Sequence, residues 1–182
     1  MKLNKVMLAT VVAMGMVSMA NAAAPVDQGH GKVTFKGSII DAPCSITPET
    51  VDQTVDFGQV SNAALKDGNR TAPKPFTIDL ENCTFEGDNA KNKVTVTFTG
   101  DASAVNPDRL GITGTASGAS VAITEANGTP IKLGQASNAV ELMNTPSLQQ
   151  LQFSSYLQGD GASAEIKEGD FTAIANFTLA YN

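Results

Sequence analysis

GDFTAIANFTLAYN, residues Gly169 to Asn182, is the stretch whose reading decides the fold. Phe171, Ala173, Ala175, Phe177, Leu179 and Tyr181 fall on one face. Asp170, Thr172, Asn176 and Thr178 fall on the other, and Ile174 and Ala180 are the exceptions. A period of two with one apolar face is the pattern of a half-buried β-strand. The pattern runs to the last residue, so the strand is expected to need a partner on each side, and an unpaired strand edge recruits other chains.

Working outward, short alternating runs rich in Val, Thr, Ile and Phe recur between Gly, Asn, Asp and Pro. They predict strands over 32–40, 51–57, 76–80, 94–98, 120–124, 130–133, 151–157 and 171–181. Seven to nine strands in about 160 residues fit one β-sandwich domain. Asn127-Gly128, between Val121/Ile123 and Ile131/Leu133, predicts a tight hairpin turn, since both turn positions tolerate positive φ. Residues 61–68 and 138–143 read as short helices or irregular loops. The glycine-rich run Leu110 to Ser120 lacks the Lys-Ser/Thr ending of a phosphate cradle and reads as a loop.

The beginning of the chain speaks to compartment. Lys2 and Lys5 precede a charge-free apolar run from Val6 to Ala20, followed by Ala20-Asn21-Ala22. A charged start, a short apolar middle and an A-x-A end make a secretory signal peptide. Its removal after Ala22 takes two lysines away and shifts the net charge from −6 to −8. A chain this acidic, with no cluster of Lys or Arg, is not built to bind nucleic acid or an anionic membrane. Cys44 and Cys83 are an isolated pair in an exported protein, which predicts a structural disulfide.

Chemistry-bearing constellations are absent from the sequence. His30 is the only histidine and sits in a glycine-rich segment, so it anchors neither a nucleophile-base pair nor, with two cysteines, a metal site. Asp67, Asp79, Glu81, Glu165 and Glu168 stand near turns or on polar strand faces, which suits surface solvation rather than acid-base work. No enzyme activity, cofactor or metal is expected. Residues 29–37 alternate again, with Gly29, Gly31, Val33 and Phe35 on one face and His30, Lys32, Thr34 and Lys36 on the other. By pattern alone this is either a first strand of the domain's own sheet or a strand built to enter another sheet.

GKVTFKGSIIDAPCSI, Gly31 to Ile46, resembles the N-terminal signature of pilin subunits of the chaperone-usher pathway. DFGQV (56–60), PFTIDLENC (75–83), Gly169 at the fourteenth position from the end and the penultimate Tyr181 resemble further parts of that family. The resemblance spans the mature chain, and the length is similar to that of the rod-forming major subunits of P and type 1 pili. It implies an all-β, incomplete immunoglobulin-like β-sandwich that lacks its last strand. It divides the chain into a signal peptide (1–22), a donor-strand extension (23–37) and a pilin domain (38–182).

The resemblance also implies roles. Gly29, Gly31, Val33 and Phe35 would enter the groove of a neighbouring subunit, Gly31 fixing the register. Gly29 departs from the family pattern, in which an apolar side chain starts strand exchange. Gly169, Phe171, Ala173, Ala175, Phe177, Leu179, Tyr181 and Asn182 would border the acceptor groove, which a periplasmic chaperone fills before the outer-membrane usher exchanges it for the next subunit. The product would be a head-to-tail surface fibre. The alternative is a complete secreted β-sandwich binding carbohydrate through its loops, for which the lack of Trp and the presence of only Tyr156 and Tyr181 leave few stacking platforms.

Overall fold

The computed structural model describes residues 28–86 and 91–182. The signal-peptide reading and residues 23–27 of the extension lie outside the described residues. Two units meet between Ile39 and Ile40. In the first, residues 28–39 carry no strand or helix and are exposed throughout.

The second unit, Ile40–Asn182, is a β-sandwich. In chain order its strands are β1 (Ser45–Ile46), β2 (Lys74–Glu81), β3 (Lys93–Gly100), β4 (Leu110–Gly111), β5 (Thr113–Gly114), β6 (Ala119–Glu125), β7 (Pro130–Ile131), β8 (Val140–Glu141), β9 (Gln149–Gly159), β10 (Phe171–Thr172) and β11 (Ala175–Tyr181). One sheet runs β1-β2-β9-β6-β4, with β7 sharing the outer edge of β6. The facing sheet runs β11-β3-β8, and β5 pairs with β10. All pairs are antiparallel.

The period of two explains the core. Ile78 and Leu80 of β2, Leu151, Phe153 and Leu157 of β9, and Val121 and Ile123 of β6 point inward, where they meet Val94, Val96 and Phe98 of β3. The sheets lock through aromatic rings: Phe98 stands edge-on to Phe76 and Phe153, at 6.2 and 5.1 Å between centroids. The Cys44–Cys83 disulfide, buried on both sides, ties the chain before β1 to the chain after β2.

Several expectations change. The predicted strand over 171–181 is two strands, because the chain leaves β5 at Thr172 and joins β3 at Ala175. Residues 51–57 alternate like a strand, yet Val51 ends a short helix, α1 (Pro48–Val51), and residues 52–57 join no sheet. Residues 32–40 likewise pair with nothing that makes a ladder. The 138–143 stretch holds β8, and the glycine-rich run 110–120 contributes β4, β5 and the start of β6. The 61–68 stretch forms two single 3₁₀ turns. The hairpin at Asn127-Gly128 forms, but only Gly128 takes positive φ, at 86°. Asn127 instead accepts a hydrogen bond from the Thr129 N–H through Oδ1, at 2.8 Å, and Gly128 N–H donates to Glu125 C=O, at 2.9 Å.

Candidate functional site

A groove of about 1010 Å³ opens between the sheets of the second unit. Its floor is Phe76, Phe98, Leu110, Val121, Ile123 and Ser155. Residues 51–58 line one side and 169–177 the other. Phe57 and Phe171, 6.1 Å apart between centroids, bring the two sides together at one end. Gly169 sits at that end with φ 151°, where a Cβ would meet the backbone nitrogen of Ala116 at 2.8 Å. Only glycine is at ease in that conformation and that space.

Both sides carry backbone groups that no ladder uses. Asn182 and Lys93 exchange both backbone hydrogen bonds, Asn182 N–H to Lys93 C=O at 2.8 Å and Lys93 N–H to Asn182 C=O at 3.2 Å. Antiparallel pairs alternate between bonded and non-bonded positions, so Ala180, Thr178 and Asn176 also bond toward β3. Ala175, Phe177, Leu179 and Tyr181 therefore turn their N–H and C=O groups away from β3, along the outer edge of the sheet. On the opposite side, residues 54–60 make no backbone–backbone hydrogen bond among the described residues. An apolar floor between two unpaired edges is the geometry that accepts one more strand.

The residues expected to border an acceptor groove divide in the structure. Gly169, Phe171, Ala173, Ala175 and Phe177 line the groove. Leu179 and Tyr181 pack half-buried against the core instead, and Asn182 ends the ladder with Lys93. Gly29, Gly31, Val33 and Phe35 are exposed in the first unit, Val33 at 76% and Phe35 at 89%. Two hydroxyls stand out: Ser155 Oγ and Tyr181 Oη are buried and meet no hydrogen-bond partner among the described residues. Ser155, 4% exposed, lies on the groove floor. Burial raises the Tyr181 pKa above its ordinary value, because the charged phenolate would lose its hydration.

Comparison with known proteins adds the lineage. Residues 33–182 match the family model described as fimbrial protein. The Fimbria A protein of Serratia marcescens is 61% identical over 181 residues, covering 100% of this chain and 99% of the relative.

The chain belongs to the fimbrial protein family.

The major MR/P fimbria protein of Proteus mirabilis is 52% identical over 182 residues, covering 100% of this chain and 99% of its own length. Among solved structures, the P pilus rod subunit PapA aligns with a TM-score of 0.69 and 30% identity over 78% of this chain and 100% of that one. A subunit from a chaperone-usher pilus aligns at 0.76, with 33% identity over 88% and 100%. This fimbrial protein is therefore a non-enzymatic structural subunit of a surface fimbria with an immunoglobulin-like fold. Its tyrosines do not favour a sugar-binding sandwich. Tyr156 is buried beneath the Arg70 guanidinium, 4.7 Å from the ring centre, and Tyr181 packs against the core.

The sequence pattern assigns no role in a groove to the side formed by residues 51–58 or to the hydroxyl of Ser155. For the former a signal exists, since Val55 and Phe57 alternate with Asp52, Thr54 and Asp56. For Ser155 the parity it shares with Leu151, Phe153 and Leu157 marks an inward position, but a small polar residue says nothing about a groove.

Proposed function

We propose that this fimbrial subunit polymerises head to tail by donor-strand exchange. Residues 1–22 are removed on export, residues 23–37 serve as donor strand, and residues 38–182 form the acceptor domain. The observation that carries the reading is the apolar groove with unpaired backbone along both sides. An incoming strand supplies backbone partners there, and Gly29, Gly31, Val33 and Phe35 face the floor. Burying Val33 and Phe35 contributes roughly 1.5 to 3 kcal/mol each. A contact between two different surfaces of identical chains does not close, so a fibre follows. In the periplasm a chaperone strand holds the same groove, and the outer-membrane usher is where one strand replaces the other.

Gly31→Trp tests the reading. A bulky side chain at an inward donor position leaves the acceptor domain untouched but cannot enter the groove. Disulfide-bonded subunit should accumulate in the periplasm at native levels while surface fibres disappear. Fibres of normal number and length from that variant would refute the assignment of Gly31.

A further inference from the structure

We infer that Lys32 and Lys36 of one subunit pair with Asp52 and Asp56 beside the groove of the next, so that a cross-strand charge set selects a second copy of this chain and fixes its register. The inference rests on the donor-strand reading above. Among all groove-lining residues the charged ones are Asp52, Asp56 and Asp170, so the lining is acidic without a single Lys, Arg or His. Residues 28–37 carry the opposite balance: Lys32 and Lys36, with no acid.

The two segments also match in pattern. In the groove side, Val55 and Phe57 are half-buried while Asp52, Thr54 and Asp56 are exposed, which displays Asp-x-Thr-x-Asp outward. The extension reads Lys-x-Thr-x-Lys over Lys32, Thr34 and Lys36, on the face opposite Val33 and Phe35. Four residues of extended chain span about 13 Å in either segment. With Thr34 beside Thr54, each lysine stands beside an aspartate whichever way the strands run. Opposite charges and paired threonines are favourable cross-strand neighbours. Slipping by two residues leaves neither lysine beside an aspartate. Slipping by one turns Val33 and Phe35 to solvent. Ser155 Oγ, buried on the floor and unpartnered among the described residues, independently marks the groove as a place for another group.

The test uses the full chain, exported with a matching chaperone and usher. Three variants are compared: Lys32→Glu with Lys36→Glu, Asp52→Lys with Asp56→Lys, and all four together. Each two-residue set should lower surface polymer about tenfold, since two attractive pairs become repulsive. The four together should restore it to within about twofold. A combination that stays as low as the separate sets, or separate sets that assemble at native levels, overturns the inference. Restoration only as a species of single-chain size also overturns it, because the occupant would then be the chain's own extension. Gly31→Trp in the same assay keeps the readings apart. If it blocks assembly while the charge sets do not, only the charge inference falls; if it assembles normally, the donor-strand reading falls first. Should a charge set fail to form the disulfide-bonded subunit, the native chain decides. Screening shortens from about 10 Å at 0.1 M salt to about 3 Å at 1 M. The strand-exchange rate should drop severalfold across that range, and a rate indifferent to salt rejects the charge set.

Discussion

Tyr181 shows how little the sequence pattern says about what a side chain meets. Its position on the apolar face was legible, and the ring is half-buried as the alternation requires. Its hydroxyl, however, is buried with no partner among the described residues, and burial raises its pKa. The unfolded chain ionises near pH 10, whereas the folded chain resists ionisation until a higher pH. Stability from this group is complete below about pH 10 and falls as pH rises through the raised folded value. Tyr181→Phe should therefore flatten the alkaline part of the stability curve and leave neutral stability unchanged, or up to about 1 kcal/mol higher, because an unsatisfied hydroxyl is removed. Denaturant unfolding at about pH 7 and about pH 11 checks both. An unchanged alkaline slope, or a loss above about 1 kcal/mol at neutral pH, would contradict this account. Ser155 was illegible for the same reason: parity gives a direction, not a partner.

Elements were legible where the apolar period had a partner inside the domain. Runs such as Phe76–Leu80, Val94–Phe98 and Leu151–Leu157 all lie within strands, because each alternates against another strand of the same chain. The period misled at residues 51–57 and 32–40, which alternate equally well and join no sheet. Under donor-strand exchange these are the two segments whose neighbour comes from another molecule, so a strand pattern without a ladder is the expected signature. The last run differs for another reason. It crosses from one sheet to the other at Ala173–Ile174, which a period of two cannot reveal. Gly169 holds the start of that run. Gly169→Ala forces a side chain into positive φ against the Thr115–Ala116 backbone, at a cost of about 1 to 3 kcal/mol. Because Phe171 follows two residues later, the end of the groove should move with it. Thermal unfolding of released subunits measures the loss, and a variant as stable as the native chain would show that the backbone there yields freely.

At the scale of the whole molecule, the staple and the groove act in opposite directions. Closing the loop between Cys44 and Cys83, 39 residues apart in sequence, stabilises the fold by about 4 kcal/mol in the chain-entropy account. The groove has Phe76, Phe98, Val121 and Ile123 in its lining and, among the described residues, two backbone edges without a ladder. A domain built this way is stapled enough to persist but incomplete enough to bind. If that balance drives assembly, supplying the strand within one chain should abolish polymerisation and raise stability together. Moving residues 23–36 to follow Asn182 through a flexible linker makes the comparison, because composition and core are unchanged apart from the linker. The rearranged chain should be a monomer that melts well above the subunit in its native order. A native-order chain already monomeric and stable, with the rearranged one weaker, would mean that the sandwich is complete and that the groove serves another ligand.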